Sequence, residues 1–279
     1  MAGTSENDKY TTIIEASNPW KPFDFREIVR YKDMLYFKII NGYKAQMKQT
    51  IFGYFWVFFE PAFNILFFSL LFGAIVKIDT GTIPYVVFNA TAVVGWGFFS
   101  ACMNGSIASL INESGIIQKI YFPRIFIPLI PGIIKLPDFA LQLVMALILM
   151  AIYGFYPGIQ IILIIPVLLI MFIYGTSLGF LFSTYVVQYR DINRFWGYFM
   201  RFYIYAVPLA YPLSAIPEKY QFIYLLNPGA VLIESFRGAL LGTPIPWVYL
   251  LITFCISLVC LYFTAVVFRM REPNVVDTL

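Results

Sequence analysis

Ionisable side chains inside long apolar stretches are the first residues of this sequence that could do chemistry. Glu60, Lys135 and Asp138 are the three that fall within such stretches. Because charge is costly in hydrocarbon, each is a candidate functional residue. Lys135 and Asp138 are three residues apart on one helix face, so we expect them to neutralise each other rather than to contact a ligand. We expect Glu60 to reach the membrane interface or a lysine of the N-terminal segment.

Acid–base and metal chemistry lack their usual residues here. The sequence contains no histidine, and its loops offer only isolated carboxylates such as Glu113, Asp191 and Glu218. General acid–base catalysis and metal binding both need clustered groups. We therefore predict no catalytic residue, no metal site and no cofactor in this chain. The three cysteines lie inside apolar runs without metal-ligand spacing, and there they pack as small hydrophobic residues: Cys102, Cys255 and Cys260.

The composition is that of an integral membrane protein. Sixty per cent of the residues are hydrophobic and 12% are charged, against about 25% charged in ordinary soluble domains. The net charge of +4 does not indicate nucleic-acid binding, because the basic residues are spread over several loops. We predict an all-α protein in which the distribution of positive charge reflects membrane topology.

Apolar stretches of about 20 residues predict transmembrane helices. A tail (residues 1–22) and an amphipathic interfacial helix (23–54) precede a six-span domain (55–270) and a second tail (271–279). Residues 222–226 and 230–241, bounded by prolines, are too short to cross and predict re-entrant helices between the fifth and sixth spans. The predicted spans are residues 55–76, 84–111, 125–155, 159–187, 195–211 and 247–268.

The segment before the first span has apolar residues at helical spacing with lysine and arginine between them. This pattern predicts a helix in the plane of an anionic leaflet, with a possible break at Asn41-Gly42. Packing on a soluble partner is the alternative.

The distribution of lysine and arginine predicts the orientation. With the N-terminus inside, fifteen of the nineteen basic residues face the cytoplasm, three face outward and Lys135 lies within a span. The positive-inside rule therefore places both termini in the cytoplasm.

A polar and basic interruption, residues 112–128, separates the second and third spans, and we call it the docking loop. Pro123 ends the short helix that begins after Gly115. Its apolar groups would be satisfied neither by water nor by headgroups, which indicates that another protein covers them. A second charged interruption, residues 188–194, faces the same side. The predicted docking residues are Ile116, Ile117, Lys119, Tyr121, Phe122, Pro123, Arg124, Arg190 and Asp191.

Six short blocks, in order along residues 24–270, resemble the permease subunits of ABC polysaccharide exporters. Two departures from the family pattern are Glu60, where a neutral residue is usual, and Val207, where serine is expected. The blocks are Tyr43-Lys44…Lys48-Gln49-Thr50…Gly53…Trp56…Pro61, Lys119-Ile120-Tyr121-Phe122-Pro123-Arg124…Pro128, Tyr189-Arg190-Asp191, Pro208…Tyr211-Pro212, Leu226-Asn227-Pro228 and Phe236-Arg237-Gly238.

The resemblance implies a homodimer in the inner membrane that exports a lipid-linked polysaccharide, with O-antigen as the first expectation, above two copies of a separate ATPase. The docking residues would receive force from that ATPase. This sequence has no Gly-x-x-x-x-Gly-Lys-[Ser/Thr] motif, which agrees with ATP and Mg²⁺ being bound by the partner.

Aromatic and charged residues near the predicted path are its candidate contacts. Trp96, Phe98 and Phe99 fall mid-span, where ring faces could line a saccharide path, with ordinary packing as an equal alternative. Glu234 and Arg237, at i and i+3 on a predicted re-entrant helix, could gate the exit, with a solvated surface pair as the alternative. Interfacial belt positions are predicted for Trp56, Trp196 and Trp247.

Two other classes of function would each require a residue pattern of their own. A polytopic enzyme or flippase acting on polyprenol-linked glycans would need interfacial carboxylates or histidine for catalysis. A proton-coupled secondary carrier would need a relay of midplane carboxylates and internal repeats. The sequence displays neither pattern.

Overall fold

The structure, a computed structural model, describes residues 29–48, 51–117 and 123–278, and these residues form helices without any β-strand. The α-helices are α1 (Lys32–Met47), α2 (Phe55–Phe68), α3 (Tyr85–Asn112), α4 (Ser114–Ile117), α5 (Ile130–Ile134), α6 (Leu136–Ile152), α7 (Ile164–Gln188), α8 (Asp191–Tyr203), α9 (Glu218–Leu225), α10 (Pro228–Leu241) and α11 (Trp247–Thr278). A π-helix, Ser69–Ile75, extends α2, and short 3-10 helices cover Arg124–Leu129, Ile159–Leu163, Ile204–Ala206 and Leu213–Ala215.

Five helical segments among the described residues are long and apolar enough to cross a membrane, which makes this a membrane protein. We call them the first, second, third, fourth and C-terminal spans. They cover Phe55–Ile75, Tyr85–Asn112, Arg124–Ile152, Ile159–Gln188 and Trp247–Glu272. They correspond to five of the six predicted spans.

The predicted span at residues 195–211 has a different form. Helix α8 ends at Tyr203, one 3-10 turn follows to Ala206, and the chain from Val207 to Pro212 is not helical. Pro208 and Pro212 lack the backbone N–H that a continuing helix needs.

The second span is the central helix of the fold. Its 28 residues make it about 42 Å long, and most of its side chains are buried by the other spans. The fourth span packs closely on it through glycine. A Cβ built on Gly179 would lie 2.3 Å from the carbonyl oxygen of Met103, so only glycine permits this approach. Small residues at helix contacts are a usual means of packing in membranes.

Helix α1 packs one face on the start of the third span. Tyr31, Leu35 and Ile39 pack against a core cluster that contains Ile130. The predicted break at Asn41-Gly42 is wrong, because the helix is continuous from Lys32 to Met47. Gly42 has a packing role instead, since a Cβ there would lie 2.5 Å from Cδ1 of Ile134.

The predicted belt position of Trp196 is also wrong. Trp56 and Trp247 are 49% and 57% exposed, as expected for interfacial residues, but Trp196 is only 3% exposed. Its indole Nε1 donates to Oδ1 of Asn104 at 2.8 Å, so it joins α8 to the second span. This hydrogen bond, together with the packing of the indole on Phe182, keeps Trp196 inside the protein.

Candidate functional site

A cavity of about 320 Å³ lies between the first, second and third spans and the segment that follows α8, and we call it the groove. Trp96 and Phe98, two of the predicted path residues, line it. Phe99 does not. It is completely buried, and its ring stacks on Tyr174 with centroids 6.0 Å apart, so for Phe99 the packing alternative is correct.

Neutral polar side chains that were not among the predicted site residues also line the groove. Asn64 lies one helical turn after Glu60, and Gln142 lies one turn after Asp138, so each pair shares a helix face. Ser100 and Asn104 form a similar pair on the second span. Intramembrane amides that each follow another polar residue by four positions were the signal that could have revealed this site, because polar groups inside apolar spans need partners.

The predicted pairing of Lys135 with Asp138 is confirmed. Lys135 Nζ lies 2.9 Å from Oδ2 of Asp138 and donates to Oε1 of Gln46 at 2.7 Å, so it joins the third span to α1. The other carboxylate oxygen of Asp138 is buried and has no hydrogen-bond partner among the described residues. Glu60 lines the same groove, and no lysine from the described part of α1 pairs with it.

A second cavity, of about 420 Å³, continues from the groove toward the Asn112 end of the second span. The two cavities share Ala101, Asn104 and Lys135. Glu113 lines the far end and forms an ion pair with Lys38 of α1 at 2.6 Å. The two cavities together follow the second span from near its middle to one of its ends.

The predicted gate pair lies inside the protein. Arg237 is 1% exposed and pairs with Glu234 at 2.5 Å, so the alternative of a solvated surface pair is wrong. The Arg237 guanidinium also donates to the carbonyl oxygen of Pro208 and lies over the ring of Phe88. Pro208 precedes Leu209, which lines the groove. Arg237 therefore fixes the non-helical segment that borders the groove.

Asn227 organises the start of α10. Its Oδ1 accepts from the backbone N–H of Gly229 at 3.1 Å and from the Tyr203 hydroxyl at 2.8 Å, and its Nδ2 donates to the carbonyl oxygen of Ala206. Asparagine is a favoured N-cap residue, and the proline that follows it suits the first helical position. One side chain thus starts the helix and holds it to the segment after α8.

The tyrosine pair beside α9 is held by a hydrogen bond of 3.0 Å between the Tyr211 and Tyr224 hydroxyls. Burial raises the pKa of the Tyr224 phenol above its ordinary value, so this hydroxyl stays neutral. The contact holds α9 against the end of the non-helical segment.

The docking loop is described only at its ends. Lys119, Tyr121 and Phe122 lie outside the described residues, as do the side chains of Ile116 and Ile117, whose backbone belongs to α4. Pro123 is buried, and Arg124 pairs with Glu272 of the C-terminal span at 3.2 Å. The loop is therefore joined to the last helix of the chain.

The second predicted docking segment is exposed. Arg190 and Asp191 stand at the start of α8, and the Asp191 carboxylate pairs with Arg194 at 3.2 Å. Because these side chains are 90% and 82% exposed, the pair contributes little to stability and leaves both groups open to a partner.

Comparison with known proteins places this architecture in a family. The family described as ABC-2 type transporter matches residues 39–241. The chain is 23% identical to the O-antigen export system permease protein RfbA of Myxococcus xanthus over 91% of this chain and 98% of that protein. It is also 27% identical to each of two proteins of that name from Klebsiella pneumoniae. The match to the first covers 92% of this chain and 92% of that protein. The match to the second covers 83% of this chain and 86% of that protein. Because the match extends through four of the five spans, α8 and α10, the chain belongs to the ABC-2 type transporter family.

Proposed function

We propose that this chain is the transmembrane permease subunit of an ABC exporter that moves a lipid-linked polysaccharide across the cytoplasmic membrane. The proposed polysaccharide is O-antigen. The observation that carries the proposal is the similarity to three O-antigen export permeases over 83–92% of the chain. A separate ATPase, in two copies, binds ATP and Mg²⁺ and drives transport. The groove, with ring faces and polar groups in one cavity, suits a saccharide path.

The proposal includes six crossings, with residues 191–211 as the fifth. Three contacts pair this segment with the second span in antiparallel order. Trp196 contacts Asn104, the rings of Tyr203 and Trp96 are 5.8 Å apart, and Ala210 accepts a hydrogen bond from Tyr85. From Asn104 to Tyr85 the second span rises about 28 Å, close to the thickness of a bilayer core. Six crossings leave both termini on one side of the membrane, and the distribution of lysine and arginine makes that side the cytoplasm.

Helices α9 and α10 are proposed to be re-entrant from the outer side. Both follow the fifth crossing, and both are too short to cross. Tyr224 on α9 contacts Tyr211, and Arg237 on α10 contacts Pro208, so both helices are held near the outer end of that crossing. Glu234 and Arg237 would then act as the exit gate, because they fix the segment that borders the groove.

A homodimer is proposed because Glu60, which lines the groove, and several aromatic rings of the first span are exposed where a second copy could cover them. The outward face of the first span carries exposed aromatic rings, and Phe59 and Phe63 stack with centroids 6.2 Å apart. A path between two copies could widen for a polymer without unfolding either bundle.

The docking loop and the start of α8 are proposed to receive force from the ATPase. The docking loop connects the second and third spans, which border the groove and its continuation, and α8 leads into the segment that borders the groove. Movement of Arg124 would also reach the C-terminal span through Glu272. The proposed contacts are Ile116, Ile117, Lys119, Tyr121, Phe122, Pro123, Arg124, Arg190 and Asp191.

Deletion of the gene in its native host tests the proposal. The surface polysaccharide should disappear while its lipid-linked form accumulates inside, and the wild-type chain should restore export. Restoration should require an ATPase that hydrolyses ATP and should persist when the proton gradient is collapsed and ATP is maintained. Unchanged surface polysaccharide in the deletion strain would refute the proposed function. Export that follows the proton gradient would replace it with a secondary carrier.

A further inference from the structure

The groove contains hydrogen-bonding groups that have no partner in the part of the chain that the structure describes. Glu60 and Asn64 form no hydrogen bond or ion pair with a described residue, although both line the groove. One carboxylate oxygen of Asp138 is buried without a partner in the described part of the chain. A buried oxygen without a hydrogen bond is costly within a membrane, and the exposed Glu60 and half-buried Asn64 line the same cavity, so one ligand could bind all three groups.

Gln142 adds a further unused acceptor. Its Nε2 donates to the carbonyl oxygen of Val57 at 3.3 Å, which leaves its Oε1 available. That oxygen lies beside Gly97, where an added Cβ would come within 3.3 Å of it. The glycine therefore gives the amide room at the groove wall.

The charge of the groove selects the class of ligand. Asp138 neutralises Lys135, whereas Glu60 has no cationic partner among the described residues. Among the described residues that line it, the groove therefore has two carboxylates and one cation, an arrangement that disfavours a phosphate or an acidic sugar. Carboxylates and amides can accept hydrogen bonds from hydroxyl groups, and an amide can also donate. Trp96, which is 9% exposed, adds an apolar surface against which a sugar ring can lie, whereas Phe98 is only 2% exposed and packs on Phe139.

We propose that the groove is a binding subsite for neutral sugar units of the exported polymer, with Glu60, Asn64, Asp138 and Gln142 as hydrogen-bonding partners of their hydroxyl groups. The inference rests on the proposed function and specifies which part of the substrate this region contacts. The cavity, about 320 Å³, falls within the usual range of small-molecule sites, about 300–1,000 Å³. The charged lipid-linked end of the polymer would be held elsewhere.

Removal of the hydrogen-bonding groups tests the subsite. The double variant Asn64→Leu/Gln142→Leu keeps side-chain bulk and suits an apolar span, so it should insert and bind the ATPase normally. We expect its export rate in cells to fall at least fivefold. The export rate of Glu60→Gln should stay within twofold of the wild-type rate, because an amide still accepts hydrogen bonds from hydroxyl groups. Glu60→Leu should export at least threefold more slowly than wild type.

A matched control lies outside the groove. Ser257→Ala removes an intramembrane hydroxyl that bonds to Thr253 in the C-terminal span, and export should not change. Full export by the Asn64→Leu/Gln142→Leu variant would overturn the subsite. Equal losses in Glu60→Gln and Glu60→Leu would also overturn it, because charge rather than hydrogen bonding would then matter.

Polymer protection gives a second readout. Asn64→Cys is placed in a variant that lacks the three native cysteines, together with a hydrolysis-deficient ATPase that stalls export. A methanethiosulfonate reagent should label it at least fivefold more slowly in membranes that contain the polymer than in membranes from cells unable to make it. Thr82→Cys, in an exposed loop, should label equally in both. Equal labelling of Asn64→Cys would contradict the subsite.

Failure of the proposed subsite and failure of the proposed function give different experimental results. If the wild-type chain restores polysaccharide export to the deletion strain and the groove variants export normally, the subsite is wrong and the function stands. If the wild-type chain restores nothing because the deletion has no effect on surface polysaccharide, the proposed function itself is wrong.

Discussion

The guanidinium carbon of Arg237 lies 3.8 Å from the centroid of the Phe88 ring, close to the start of the second span. A cation over an aromatic face gains electrostatic energy, and this gain is larger where water is excluded. The same guanidinium pairs with Glu234 and donates to the carbonyl oxygen of Pro208. One buried side chain therefore connects the second span, α10 and the non-helical segment beside the groove.

Arg237→Met should destabilise the protein strongly, because it leaves Glu234 without its cationic partner. Breaking a buried pair in this way costs about 3–5 kcal/mol. The double variant Glu234→Gln/Arg237→Met should recover part of the loss, since no uncompensated charge remains. Thermal unfolding in detergent measures both. Lys219→Met, at an exposed site on α9, is the control, and its melting temperature should stay near that of wild type. Equal melting temperatures for Arg237→Met and wild type would contradict the structural role.

Trp96→Leu and Phe99→Leu should separate a path residue from a packing residue. Trp96 lines the groove, so its replacement should slow export by each folded permease, and because the ring also packs on Tyr203 the variant should lose some stability as well. Phe99 is completely buried against Tyr174, so its replacement should cost about 1 kcal/mol of stability and leave export by the folded protein unchanged. Export per folded permease is the measurement. The reverse pattern would contradict the assignment of these two side chains.

The sequence predicts span positions well and the inward faces of the spans poorly. Length and hydropathy locate the first to fourth and C-terminal spans, and the i, i+3 spacing predicts the pair of Lys135 with Asp138. In an apolar span, however, the lipid-facing and core-facing sides have similar composition, so periodicity does not reveal that Phe98 and Phe99 are both buried in the core.

The groove and the segment after α8 depend on tertiary contacts. Asn64 and Gln142 are 78 positions apart in sequence, and only the packing of the first and third spans brings them to one cavity. The buried position of Trp196 depends on its distant partner Asn104. Local sequence contains no information about such pairs, which explains why Trp196 resembled an interfacial residue.

Gly179→Ala should disrupt the contact between the second and fourth spans. Its new Cβ would lie 2.3 Å from the backbone oxygen of Met103, which cannot move without shifting the helix. Overpacking of this kind costs about 1–3 kcal/mol. Gly197→Ala is the matched control, because nothing lies within 4 Å of a Cβ at that position. It should be neutral or stabilise α8 by up to about 1 kcal/mol. Thermal unfolding that ranks the two variants in the opposite order would contradict the packing.

Cysteine labelling should distinguish six crossings from five. In a variant without native cysteines, Lys219→Cys should react with an impermeant maleimide added outside intact cells, and Arg190→Cys should not. Both sites are exposed at the protein surface, so access depends on the side of the membrane. Arg271→Cys should also remain unlabelled from outside, because six crossings return the C-terminal span to the cytoplasm. External labelling of Arg271→Cys would contradict this topology.

The docking loop offers the sharpest test of coupling to the ATPase. Tyr121 and Phe122 are aromatic residues in a segment that the sequence predicts to be covered by another protein, and aromatic anchors dominate the binding energy of interfaces. Tyr121→Ala/Phe122→Ala should weaken binding of the ATPase by about 2 kcal/mol or more for each anchor.

The permease itself should still insert and remain folded, because its core lies in the spans. Tyr156→Ala, at an exposed site between the third and fourth spans, is the control on the opposite side of the membrane and should bind the ATPase normally. Co-purification and the stimulation of ATP hydrolysis by the permease are the measurements. Full co-purification with normal stimulation and export would show that the loop is only a solvated connection.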